Sequence, residues 1–136
     1  MTSFIRGRII WLLGATAVAA LAMGALLPTK WVPRTGLGWE AEHFLIYLVT
    51  TFALCVALRR PLLVASSLLL FSGILEWLQN FTPDRTPSVT AALAGGSGAI
   101  LGAILFEIVL RAVRARRAYQ KHSVIQAAEG VGVAAQ

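Results

Sequence analysis

The sequence predicts an all-α protein, a four-helix transmembrane bundle with its N-terminus and C-terminus both in the cytoplasm. Three observations predict it: an oily composition, four apolar runs of near-membrane length, and basic residues gathered at alternate ends of those runs. Of 136 residues, 57% are hydrophobic and 13% charged, against roughly 45–50% and about 25% in soluble domains. The mean hydropathy is +0.74. Both departures point to lipid as the solvent. The net charge of +6 comes from clustered cations, which suits a membrane surface, and no nucleic-acid partner is expected. The single cysteine, Cys55, sits in an apolar run and permits no internal disulfide. It reads as a small buried hydrophobe.

The first run, residues 9–27, carries no charged residue. At 1.5 Å per residue it matches the ~30 Å hydrocarbon core. Arg6 and Arg8 before it would also suit a signal peptide. The run is longer than a usual signal core and further spans follow, so a retained helix is the simpler reading. Pro28 and Pro33 then discourage helix. The second run, about 43–58, is short; the third covers 62–80 and the fourth about 89–110. Arg59-Arg60-Pro61 reads as a tight turn that makes the second and third helices an antiparallel hairpin. Thr86-Pro87 reads as an N-cap followed by proline at the first helical position.

Charge sets the orientation. Arg6, Arg8, Arg59, Arg60, Arg111, Arg114, Arg116, Arg117 and Lys121 fall on one side of four crossings, and Lys30, Arg34 and Arg85 on the other. The richer side is cytoplasmic. Residues 1–8 form a basic cytoplasmic N-terminus and 9–110 the membrane domain. Residues 111–136 form a basic juxtamembrane segment and a tail expected to be disordered after His122. Trp31, Trp39 and Trp77 mark the outer interface and Trp11 the inner one. Ala94, Gly98 and Gly102 recur every four residues in the last run, a small-residue stripe that lets helix backbones approach closely in lipid. Packing within the bundle is the favoured use; a homo-oligomer through the same stripe is the alternative.

Polar residues are few, so their placement carries weight. Glu40, Glu42 and His43 open the second run, with Tyr47 one turn after His43. Glu76 and Gln79 share a face near the outer end of the third, and Asp84 and Arg85 follow in the next loop. All should collect at one end of the bundle. A carboxylate at mid-bilayer costs up to about 3 kcal/mol, less near the interface, so Glu76 should face inward and find a partner. His43 and Arg85 are the reachable candidates. The site then reads as a polar pocket open to the outer leaflet, lined by His43, Tyr47, Glu76, Gln79 and Arg85. It would bind a polar or phosphorylated lipid headgroup, or alternatively host acid–base chemistry between Glu76 and His43. A polar clamp between helices, with no further function, competes with both. A metal held by Glu42, His43 and Glu76 is the weaker reading, because no close ligand motif is present. No phosphate-cradling loop and no nucleophile elbow occur, and no cofactor is expected.

These residues resemble the VanZ-like family of small membrane proteins. The resemblance rests on Glu42-His43 with Tyr47, on Glu76-x-x-Gln79 with Phe81, Pro83 and Asp84-Arg85, and on Gly98 and Gly102. It spans residues 40–102, nearly half the chain. Asp84 stands where the family commonly has Gly, and Ala91 and Gly95 where it usually has Asp and Asn. The resemblance implies a multi-pass protein of the bacterial inner membrane, from a family named for a member associated with tolerance of the glycopeptide teicoplanin. Membrane lipids are the expected partners, and an envelope lipid or lipid-linked glycan intermediate is the expected ligand of the pocket. Binding is favoured over catalysis, because the last helix lacks the family's Asp and Asn.

Overall fold

The computed structural model describes residues 2–31, 36–82 and 84–134. Pro33 and Arg34 of the outer loop, and Pro83, lie outside the described residues. Four α-helices, α1 (Thr2–Leu26), α2 (Trp39–Leu58), α3 (Pro61–Leu78) and α4 (Val89–Ala134), are joined by loops and two short 3-10 turns. No strand occurs among the described residues. Three stretches, Trp39–Leu58, Pro61–Phe81 and Val89–Ser123, are long and apolar enough to cross a membrane, and α1 carries a shorter apolar stretch, Trp11–Leu26.

The helix boundaries follow from local chemistry. Gly38 precedes α2 with φ 91° and ψ 150°, a backbone region that a Cβ would resist. Glu40 and Glu42 lie in the first turn, where carboxylates complement the helix dipole, so α2 begins at Trp39, four residues ahead of its apolar core. Arg59 ends α2 in the left-handed region and donates its N–H to the Cys55 carbonyl at 2.8 Å. Pro61 then opens α3 at its first position, where the missing N–H costs nothing. The expected tight hairpin between α2 and α3 is therefore present.

The start of α4 departs from expectation. The cap is Ser88, not Thr86: its hydroxyl accepts the Ala91 N–H at 3.3 Å, and Pro87 lies outside the helix. The C-terminal end departs too. The fourth helix runs past Leu110, and past His122 where a disordered tail was expected, to Ala134. Residues 111–134 contain no proline and are rich in Ala and Arg, which are strong helix formers whether or not lipid surrounds them. At the other end α1 reaches back through Arg8 to Thr2.

The chain divides into two compact units, Met1–Phe106 and Glu107–Gln136. In the first, α1 packs on α2 and α3, and α2 packs on α3. The first part of α4 lies against both α2 and α3. A Cβ on Gly98 would overlap the Phe44 carbonyl oxygen, and one on Gly102 would come within 2.5 Å of the Leu48 carbonyl oxygen. Gly98 and Gly102 thus bring two backbones into contact along α2, the favoured use of the stripe. The core of this unit is small side chains and polar groups as much as oil. Thr51, Cys55, Ser72, Gln79, Ala91 and Ala99 are all essentially inaccessible, while Leu45, Val49, Leu62, Leu70 and Ile104 point outward. Such inversion suits helices whose outer solvent is lipid. In the second unit, Arg111 and Glu107 form an exposed ion pair at 3.6 Å, and Arg114, Arg116, Arg117 and Lys121 are exposed.

Candidate functional site

The site lies where α1 ends, α2 begins, α3 ends and α4 begins. Spacing on α3 builds its floor. Ser72, Leu75, Glu76 and Gln79 recur at three and four residues, share one helix face, and are all buried. His43 and Tyr47, one turn apart on α2, meet that face; their rings stack with centroids 6.5 Å apart. The carboxylate of Glu76 is the hub. Its Oε1 lies 3.4 Å from His43 Nε2 and accepts from Gln79 Nε2 at 3.4 Å. Its Oε2 accepts the backbone N–H of Ser88 at 2.8 Å. One side chain therefore ties α3 to α2 and to the start of α4, where a negative charge also meets the positive end of the helix dipole.

A second contact fixes which nitrogen of His43 faces Glu76. His43 Nδ1 lies 3.1 Å from the Trp39 carbonyl oxygen. A carbonyl only accepts, so Nδ1 carries a hydrogen. Nε2 is then the nitrogen that faces Glu76 Oε1. The Trp39 indole closes over the imidazole, with ring centroids 4.3 Å apart.

Arg85, buried in the loop before α4, reaches the end of α1. Its Nε donates to the Leu27 carbonyl at 3.0 Å, and its Nη2 to Gly24 at 2.8 Å and Leu27 at 2.7 Å. The guanidinium thus satisfies carbonyls left open at the C-terminal end of α1, where a cation is also favoured by the dipole. It sits 4.9 Å from the centre of the Trp39 ring, a cation–π contact. These contacts clasp the end of α1, while Glu76 takes His43, Gln79 and the backbone N–H of Ser88.

Beside this hub is a cavity of about 450 Å³ between α1, α2 and α3. Its polar wall carries Glu42, His43, Tyr47, Ser72 and Glu76. Its apolar side carries Leu45, Ile46 and Val49 of α2, all exposed at the surface of the first unit. Of the five residues expected to line a pocket, His43, Tyr47 and Glu76 do so. Gln79 and Arg85 stand behind the wall, holding Glu76 and α1. Sequence reasoning missed Ser72, Ser88 and Trp39. Ser72, four residues before Glu76, could have been found from the shared helix face. It donates to the Ala92 carbonyl at 3.2 Å, and with Glu76 it supplies the polar neighbours of the Tyr47 hydroxyl. Gly95 makes this junction possible: a Cβ there would lie 2.5 Å from Ser72 Oγ and 3.1 Å from the Tyr47 ring. Among the described residues, no three His, Cys, Asp or Glu side chains converge as a metal site.

No family model, no curated protein and no solved structure matches this chain.

Proposed function

We propose that the chain is a VanZ-like protein of a bacterial cytoplasmic membrane that crosses the bilayer four times with both termini inside. In this reading the cavity faces the outer leaflet and binds an envelope lipid or a lipid-linked glycan intermediate. The observation that carries the proposal is the cavity's two-sided chemistry. A buried wall of His43, Tyr47, Ser72 and Glu76 adjoins an exposed apolar side of Leu45, Ile46 and Val49. A polar head and an oily chain are the two halves of one amphiphile, and a site that presents both types of wall side by side accommodates them together. The positive-inside rule supplies the orientation. Ala91 and Gly95, which stand in place of the family's Asp and Asn, are buried beside this wall. The Gly95 position has no room for a larger side chain, so the polar groups of the site come from α2 and α3.

The test is the lipid that co-purifies with the protein in mild detergent, identified by mass spectrometry. Val49 is 62% exposed, so Val49→Trp should fill the apolar side without disturbing the core and should remove a specifically retained lipid. An unchanged lipid complement would overturn the proposal.

A second reading is favoured by one observation, the 3.4 Å contact between His43 Nε2 and Glu76 Oε1. In that reading the same pocket is a membrane enzyme and the pair acts as acid and base on the bound headgroup. Turnover of a lipid substrate by the purified protein, abolished in His43→Ala with lipid binding kept, would establish it. An assembly role through the α4 stripe, which the homo-oligomer alternative would require, loses ground because Gly98 and Gly102 are covered by α2.

A further inference from the structure

At the end of the first unit away from the cavity, α2 gives way to α3 at Arg59-Arg60-Pro61. Arg59 has φ 55° and ψ 32°, and among the described residues it alone, glycines aside, has a positive φ. That backbone region disfavours a Cβ, and helices that end in it usually do so on Gly or Asn. An arginine there gives up stability that glycine would keep. Its side chain returns nothing inside the fold. Arg59 and Arg60 are both exposed, and neither side chain forms an ion pair or hydrogen bond with a described residue. Arg85 and Arg111, in contrast, bind carbonyls and Glu107. Membrane topology needs the charge alone, which lysine or a neighbouring position supplies as well. It does not call for an arginine in a strained backbone.

A third arginine stands at the same end. A Cβ on Gly14 of α1 would come within 2.9 Å of Leu54 Cδ2 on α2. The two helices run antiparallel, since the end of α1 and the start of α2 share the cavity. Arg8, six residues before Gly14, and Arg59, five after Leu54, therefore lie near one level, and Arg8 is exposed too. Every carboxylate of the first unit, Glu40, Glu42, Glu76 and Asp84, belongs to the opposite end. α3 opens at this turn with no side-chain cap, and the positive end of its dipole adds to the arginines. The 20 residues of α2 rise about 30 Å, the thickness of the hydrocarbon core. When α2 spans that core, its arginine end meets the phosphate layer, and a guanidinium matches phosphate through its planar fork. We infer that Arg59 and Arg60, with Arg8 at their level, bind the headgroup of an anionic phospholipid, a second lipid site at the membrane face opposite the cavity.

The experiment follows melting of the full chain in dodecyl maltoside by tryptophan fluorescence, with phosphatidylglycerol or phosphatidylcholine titrated in. All four tryptophans, Trp11, Trp31, Trp39 and Trp77, belong to the first unit, so the signal does not report on the basic second unit. Phosphatidylglycerol should raise the melting temperature at concentrations where phosphatidylcholine does not. Arg59→Gly should melt at or above the wild type without lipid. It should need about tenfold more phosphatidylglycerol for half the effect, as expected for the loss of one hydrogen bond to a charged group. Arg60→Gln should weaken the response likewise, and Arg114→Gln/Arg117→Gln in the second unit should leave it unchanged. A response that survives Arg59→Gly but is lost in the cavity-filling Val49→Trp would put the lipid in the cavity and overturn the inference. Equal responses to the two lipids would overturn it as well and leave an acidic protein segment as the partner of the patch. Melting of Arg59→Gly below the wild type in detergent alone would make the side chain a support of the turn, which is equally fatal.

Discussion

Along the α2–α4 contact, the chain joins helices with almost nothing but backbone. Gly98 and Gly102 on α4 repeat at four residues and meet the carbonyls of Phe44 and Leu48, which repeat at four residues on α2. At the helix ends it joins them with side chains instead. Glu76 ties α3 to α2 and α4, and Arg85 ties the loop before α4 to α1 and Trp39. The first seam relies on dispersion and close approach, the means by which helices pack where lipid tails are as apolar as leucine. The second buries ionisable groups, which is expensive unless each finds partners. A protein needing only a fold could use the first kind throughout. The second kind surrounds a cavity, and that coincidence is the main reason to read it as a site.

Substitutions at the two seams should therefore fail differently. The largest effect is expected from Gly98→Leu. Even a methyl group there overlaps the Phe44 carbonyl. The cost should reach or pass the upper end of the roughly 1–3 kcal/mol typical of overpacking, seen as loss of the monodisperse peak in detergent. Gly98→Ala should show a smaller drop in melting temperature. Gly73 on α3 is the control, since a Cβ there meets nothing within 4 Å. Gly73→Ala should leave stability unchanged or raise it by up to about 1 kcal/mol through helix propensity. Equal damage at Gly73 and Gly98 would mean that close approach is not what the stripe provides.

Arg85→Ala comes next. It removes the three donor contacts at the end of α1 and the cation over Trp39. Hydrogen bonds from charged groups are worth about 1.5–3 kcal/mol, so a loss of about 2–3 kcal/mol is expected. Arg85→Lys should recover only part of it, because an ammonium lacks the planar fork that reaches two carbonyls. Glu76→Leu should cost about 1–3 kcal/mol by leaving the Gln79 amide, the Ser88 N–H and His43 without their acceptor. Glu76→Gln keeps an oxygen for Ser88 and should cost less, while changing ligand preference more than melting temperature. If Arg85→Ala disturbed ligand binding with no loss of stability, its role as a clasp would be wrong.

These contrasts also explain what could be read from the sequence. Three of the spans and the meeting of His43, Tyr47 and Glu76 were legible, because apolar run length and i, i+3, i+4 spacing are properties of residue types. The partners of Glu76 and Arg85 were only half legible. The groups that satisfy them are a backbone N–H at Ser88 and backbone carbonyls at Gly24 and Leu27, and every residue but proline carries both. Opposite charge made Arg85 a candidate partner for Glu76 on paper, while open backbone groups at helix ends supply contacts to each of them. Ser88 was hidden behind Thr86-Pro87, a more familiar helix start. The extension of α4 past Leu110 was hidden by the end of hydropathy, which marks where lipid stops being suitable and says nothing of where helix stops.

Thr51 gives the finest comparison of the two seams. It is fully buried on α2, and its Cβ stands 3.0 Å from where a Cβ on Gly102 would be. Its hydroxyl has no hydrogen-bond partner, in contrast to the buried Ser72, which donates to Ala92. A β-branched residue of this size fills the space beside Gly102, and valine fills it equally without a hydroxyl. Thr51→Val should thus be neutral or stabilising by up to about 1 kcal/mol, because no bond is lost and a buried polar group is removed. Ser72→Ala, which removes a bonded hydroxyl of the cavity wall, should be destabilising by about 1 kcal/mol. Melting temperatures measured side by side in one detergent test the pair. A destabilised Thr51→Val would mean that the hydroxyl has a partner in the membrane, and the α2–α4 seam would then be polar like the helix ends.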